Sequence, residues 1–125
     1  MPIARTVHSL DRLVVGIAND TLKLPDLAAF VQLNIDERLQ HYRKLLDFTN
    51  CVAEFNEQEL AALAQVLRDR PGAPKRGPLA LVADPNRADL AHFFAALGAD
   101  GRPARVFRNL RQARAWLMTK PIEGA

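Results

Sequence analysis

The sequence predicts an α/β fold: a mostly parallel sheet of about five strands, with an N-terminal antiparallel hairpin and four helices. Three observations predict it. Short apolar runs of strand type alternate with stretches of helical period from residue 13 to residue 117. The run Leu79–Ala83 is continuously apolar, as in a strand covered on both faces. Helix-start residues stand at the joints between the runs. Strands separated by helices pair in parallel through right-handed crossovers.

The elements follow in order. Residues 4–9 and Leu13–Ala18 read as two strands, and Asp11-Arg12 between them reads as a turn, which gives the hairpin. Pro25 suits the first position of a helix and Asp26 its first turn. Leu24, Leu27, Ala28, Val31 and Ile35 then share one face, with Phe30 and Leu33 on the opposite one. Arg43–Phe48 reads as a strand and 49–55 as a loop. Asn56-Glu57-Gln58-Glu59 is a capping box, and Leu60, Leu63, Ala64 and Leu67 form the buried stripe after it. Asp84 and Pro85 predict the start of a third helix, with Leu90, Phe93, Phe94 and Leu97 inward and Gly98 as its stop. Ala104–Phe107 is the last strand. Asn109 and Gln112 form a second capping box, and Leu110, Ala113, Trp116 and Leu117 make the inner face of the last helix.

Size and composition fit one domain over residues 1–125, with its core at about 4–118 and a tail at 119–125. Apolar residues make up 49% of the chain and charged residues 25%, which is globular rather than disordered. The one cysteine, Cys51, cannot close an intrachain disulfide, and no run is apolar enough to span a bilayer. The expected location is therefore the cytoplasm. The net charge is +3, and Arg102, Arg105, Arg108, Arg111, Arg114 and Lys120 follow one another with no acid between them. These are either a solvated face or a basic face for an anionic partner, with Arg111 and Arg114 pointing outward.

Three stretches carry a family resemblance: Tyr42–Asp47, Leu79–Asp84, and Arg105-Val106-Phe107 followed by Ala113-Arg114-Ala115-Trp116-Leu117. With the order of elements, they make the chain from about Leu13 to Leu117 resemble the SpoIIAA-like (STAS/SEC14-like) bacterial proteins of the STAS fold. The resemblance implies that fold. Anti-sigma-factor antagonists of the same fold carry a phosphorylatable Ser or Thr where the second core helix opens. Here that helix opens with Phe55-Asn56-Glu57-Gln58, so the phospho-switch does not carry over. The resemblance also implies small apolar or lipid-like ligands, but no ligand motif in the chain matches that idea.

Two groups of residues are candidates for a site. Asp47, Thr49, Asp84 and Arg108 stand at strand ends, where ligands sit in open α/β sheets. They form either a polar site or a set of caps and local pairs. Phe30 and Leu33, with Val52 and Phe55, are either an exposed partner surface, the wall of an apolar pocket, or a face over which the 43–55 segment folds. His8, His41, His92 and Cys51 show no metal-ligand spacing, and no glycine-rich phosphate loop is present. No metal, cofactor or catalytic residue is expected, and the core claims the aromatics that nucleic-acid binding would need. The sequence points first to a non-enzymatic binding or regulatory module, working through protein–protein contact or homodimerisation by its first helix. A domain for a small apolar or lipid-like ligand comes second, and an enzyme using the strand-end cluster third.

Overall fold

The structure is a computed structural model and describes residues 2–68, 76–91, 93 and 102–122. The strands are β1 (Ile3–His8), β2 (Leu13–Lys23), β3 (Arg43–Glu54), β4 (Leu79–Val82) and β5 (Ala104–Phe107). The helices are α1 (Leu24–Asp36), α2 (Glu57–Arg68) and α3 (Leu110–Met118), with one 3-10 turn at Ala88–Leu90. The five strands form one sheet in the order β1-β2-β3-β4-β5. β1 is antiparallel to β2, and every other pairing is parallel.

Strand alternation sorts the core onto two faces. Leu13, Leu45, Ala80 and Val82 meet Ala113 and Leu117 of α3 on one face. Val14, Leu46, Leu79 and Leu81 join Leu27 and Phe30 of α1, with Leu90 and Phe93, on the other. Arg43 fastens α3 to the sheet. Its Nε donates to the carbonyls of Leu117 and Lys120, and Nη1 donates to that of Asp11. The Leu117 and Lys120 carbonyls lie at and just past the C-terminal end of α3, where a cation suits the helix dipole, and the Asp11 carbonyl lies in the turn between β1 and β2.

Both capping sites form, the first in full. Asn56 and Glu59 exchange side-chain-to-backbone bonds of 3.1 and 2.8 Å. Asn109 accepts from the Gln112 N–H at 2.9 Å. Lys23 and Asp26 start α1, with the Asp26 carboxylate accepting from the Lys23 N–H at 3.0 Å.

Several expectations are corrected. Three α-helices are complete among the described residues; of the further helix expected around Leu90, Ala91 and Phe93 are helical and the rest of its span lies outside the described residues. Asp84 and Pro85 do not open a helix. Asp84 Oδ1 instead accepts from the Asn86 N–H at 2.9 Å, which makes a turn ahead of Ala88–Leu90. Phe94, Leu97 and Gly98, with the side chains of Ala64 and Leu67, lie outside the described residues. Leu110 is exposed, because α3 turns Ala113 and Leu117 inward instead. The buried stripe of α1 is Leu27, Phe30 and Asn34, with Val31 and Ile35 only half-buried.

Gly16 is the reason for the rotation of α1. A Cβ there would lie 3.2 Å from Phe30 Cε1, 3.0 Å from Leu46 Cδ2 and 3.1 Å from Ile3 Cγ2. The missing side chain leaves a dent in β2, and the Phe30 ring fills it.

The segment 49–55 is not a loop. β3 continues to Glu54 and pairs with a lengthened β2 from Asn19↔Asn50 to Lys23↔Glu54. Asp47 partners Ile17 and Asn50 partners Asn19, so β3 holds one extra residue there, a bulge. β4 ends opposite Asp47, at Val82, so among the described residues the outer edge of β3 has no strand beside it beyond that point. Two side chains take the place of a strand. Arg87 donates to the carbonyls of Phe48 and Cys51, and the Asp89 carboxylate accepts from the Ala53 N–H at 3.0 Å. Arg87 and Asp89 hold each other through a two-point ion pair, with contacts of 2.6 and 3.1 Å.

Candidate functional site

The strand-end residues do not assemble as one polar centre. Asp47 is buried, and its Oδ1 accepts from the Thr49 N–H, at 2.9 Å, and from the Thr49 hydroxyl. That is the local bonding of a bulge. Asp84 and Arg108 do meet, at 3.7 Å, but their side chains are 55% and 66% exposed. An exposed pair of this length is worth little to stability or to chemistry. The basic face is similarly engaged. Arg114 pairs with Asp11 at 2.8 Å, the Arg105 guanidinium sits over the Phe107 ring and the Lys120 ammonium over the Trp116 ring. Arg111 is exposed.

The second candidate group also divides. Phe55 is buried and packs near Phe93, 6.2 Å between ring centroids. Val52 is 57% exposed on the opposite side of the ribbon, because it alternates with the buried Cys51 and Ala53. Phe30 is buried over Gly16, not exposed. Phe30 and Leu33 nevertheless share a place. With Ile3, Ala4 and Arg5 they line a half-open groove of about 440 Å³ between α1 and β1.

β1 is an edge strand, and its register shows which of its backbone groups are open. The Asn19 N–H donates to the Pro2 carbonyl at 2.7 Å. Pro2 and Asn19 are therefore a hydrogen-bonded pair, and such pairs alternate along an antiparallel ladder. Ala4, Thr6 and His8 turn their N–H and C=O toward β2. Ile3, Arg5 and Val7 turn theirs outward, and these meet no partner among the described residues. The open row runs beside the groove.

Arg5 marks its middle. Its guanidinium donates to Asn34 Oδ1 at 3.0 Å and pairs with the Glu37 carboxylate. The Arg5 side chain is 16% exposed and that of Glu37 47%. This edge was not predicted as a site from the sequence. Its one signal there is a charged residue alternating with Ile3 and Val7 in a strand of the first hairpin.

Two buried polar groups lie elsewhere. Lys44 Nζ donates to the carbonyls of Leu39, Gln40 and Tyr42 at 2.5–2.8 Å, which ties the α1–β3 connection to the sheet. Burial first, then the nearby Arg102 and Arg76, pulls its pKa down to about 6. Burial likewise raises the pKa of the Cys51 thiol, against a weaker opposing pull from Arg87. Among the described residues no three His, Cys, Asp or Glu side chains group as a metal site, and no helix is long and apolar enough to cross a membrane. His92 lies outside the described residues.

No protein-family model matches the chain, and no curated protein matches it. Among solved structures, it is similar to an uncharacterised protein of the DUF3478 family from Shewanella loihica, which has a SpoIIAA-like fold. The two share 18% identity and superpose with a TM-score of 0.57, over 92% of this chain and 91% of the other. At that identity the likeness speaks for the architecture alone: the chain has the SpoIIAA-like α/β fold.

Proposed function

We propose that the protein is a non-enzymatic binding module that works by contact with another protein at the β1–α1 edge. The observation that carries this reading is the coincidence of an unpaired strand edge with an apolar groove lined by Phe30 and Leu33. Edges and adjoining grooves are a recurrent way of holding peptide segments. The polar groups that an enzyme would need are engaged instead in caps, a bulge and a strand substitute. The antagonist switch has no counterpart, since α2 opens on Asn56 and its reciprocal bonds with Glu59.

A small apolar ligand is the second reading. The groove is within the size range of ligand sites and has mostly apolar walls. One experiment separates the two. A photo-crosslinking amino acid at Leu33, in the living cell, is expected to trap a protein adduct that the same label at the exposed Val66 does not. A small molecule retained in native mass spectrometry, with no protein adduct at Leu33, would overturn the protein-contact reading in favour of the ligand.

A further inference from the structure

We propose that β1 takes up an extended segment of a partner protein as a sixth strand, with an acidic side chain of that segment opposite Arg5. The inference rests on the protein-contact reading and names the chemistry of the partner.

The open groups select a peptide backbone. The N–H and C=O of Ile3, Arg5 and Val7 recur at every second residue, which is the spacing another strand offers and an acyl chain does not. The side chains of these three residues lie on the face that carries α1, where Ile3 joins the α1-side core and Arg5 reaches Asn34. An added strand would lay every second side chain on that same face, over Phe30 and Leu33. Apolar residues opposite Ile3 and Val7 fit there.

Charge sets the middle position. Directly opposed residues in a hydrogen-bonded pair lie about 5.5 Å apart between Cα atoms, and like charges there are destabilising. Two copies of β1 paired through Arg5 would set guanidinium against guanidinium. An inward-facing charge on an edge strand discourages such self-pairing. The same charge rewards a carboxylate, so Arg5 both rejects a second copy in that register and selects an acidic segment. Asn34 and Glu37 occupy only part of its donor set, which leaves N–H groups for an incoming acid. Glu37 is the one carboxylate that contacts this guanidinium among the described residues, and it competes with the newcomer.

The test uses two synthetic peptides of alternating valine and threonine, identical except for a central glutamate or lysine in the valine row. Each is titrated into isotope-labelled full-length protein and followed by amide resonances and hydrogen exchange. The glutamate peptide is expected to slow exchange at Ile3, Arg5 and Val7, and to bind about tenfold tighter than the lysine peptide. Arg5→Glu should reverse that order, and Glu37→Gln should tighten the glutamate peptide several-fold. Failure of the glutamate peptide to bind at roughly 1 mM, equal binding of the two peptides, or binding without protection of these amides overturns the proposal. If Arg5→Glu does not fold, the two peptides on the native protein and on Glu37→Gln still decide. A protein adduct at Leu33 alongside failed peptide binding would leave the contact function standing and remove strand addition alone.

Discussion

Removing the Asp89 carboxylate by Asp89→Ala should loosen the end of β3 beyond β4. Asp89 accepts from the Ala53 N–H and holds Arg87, which in turn carries the carbonyls of Phe48 and Cys51. The truncation leaves one backbone donor unpaired and one guanidinium without its anion. Hydrogen bonds to charged groups are worth about 1.5–3 kcal/mol, and stripping one partner from a fully buried pair costs about 3–5 kcal/mol. The side chains of Arg87 and Asp89 are 20% and 28% exposed, so water recovers part of that cost. A net loss of about 2 kcal/mol is expected by urea unfolding. The loss should come with faster amide exchange at Ala53 and unchanged exchange in the part of β3 that faces β4. The pH dependence adds a second reading. The Arg87 bond, chiefly, holds the Asp89 pKa below its unfolded value of 3.8. The unfolded chain then binds the proton first, so this contribution is full above pH 3.8 and is lost as pH falls through the lower folded value. Stability of Asp89→Ala equal to that of the native protein at pH 7, or unchanged exchange at Ala53, would refute the idea that these side chains replace a strand.

Two further substitutions test other parts of the account. Phe30→Ala should empty the dent over Gly16 and cost about 3–5 kcal/mol in urea unfolding; a cost below about 1 kcal/mol would show the ring to be exposed. Lys44→Met tests a pH effect of definite sign. The folded pKa of Lys44 is about 6 and its unfolded value near 10.4, so the unfolded chain binds more protons between them. The stability of the native protein relative to Lys44→Met should therefore rise from pH 6.5 to pH 9 or so. The three carbonyls around Nζ favour the ammonium, and a flat difference would show that they outweigh its burial.

Much of the fold was legible in the sequence because its signals are local. The reciprocal bonds of Asn56 and Glu59 and the Asn109 cap depend on residues three apart, and each forms where the spacing placed it. The continuous run at Leu79 gave a strand covered on both faces, as its burial shows. The errors arose where a distant residue decided the outcome. Phe30 is inward because a glycine on another element makes room for it. Thr49 and Asn50 carry loop chemistry, yet they sit in a strand whose open edge is filled by Arg87 and Asp89, more than thirty residues further on. Asp47 and Thr49 were legible as polar strand-end residues, but only the register reveals the bulge that they bond. An N-terminal hairpin forming an antiparallel edge was legible, but which backbone groups of β1 stay open, and that they run beside a groove, follow only from the register and the packing of α1. Phe30 and Leu33 belong to the groove, although the neighbours expected for them, Val52 and Phe55, do not.

The open edge of β1 is the claim on which the functional reading depends. Amide hydrogen exchange of the protein alone tests it most directly, by comparing neighbours along one strand. The N–H of Ala4 and Thr6 point at β2, and those of Arg5 and Val7 point away. Protection of Ala4 and Thr6 with rapid exchange at Arg5 and Val7 is the predicted result. Equal protection of all four would mean that something already covers the edge, and would contradict the account.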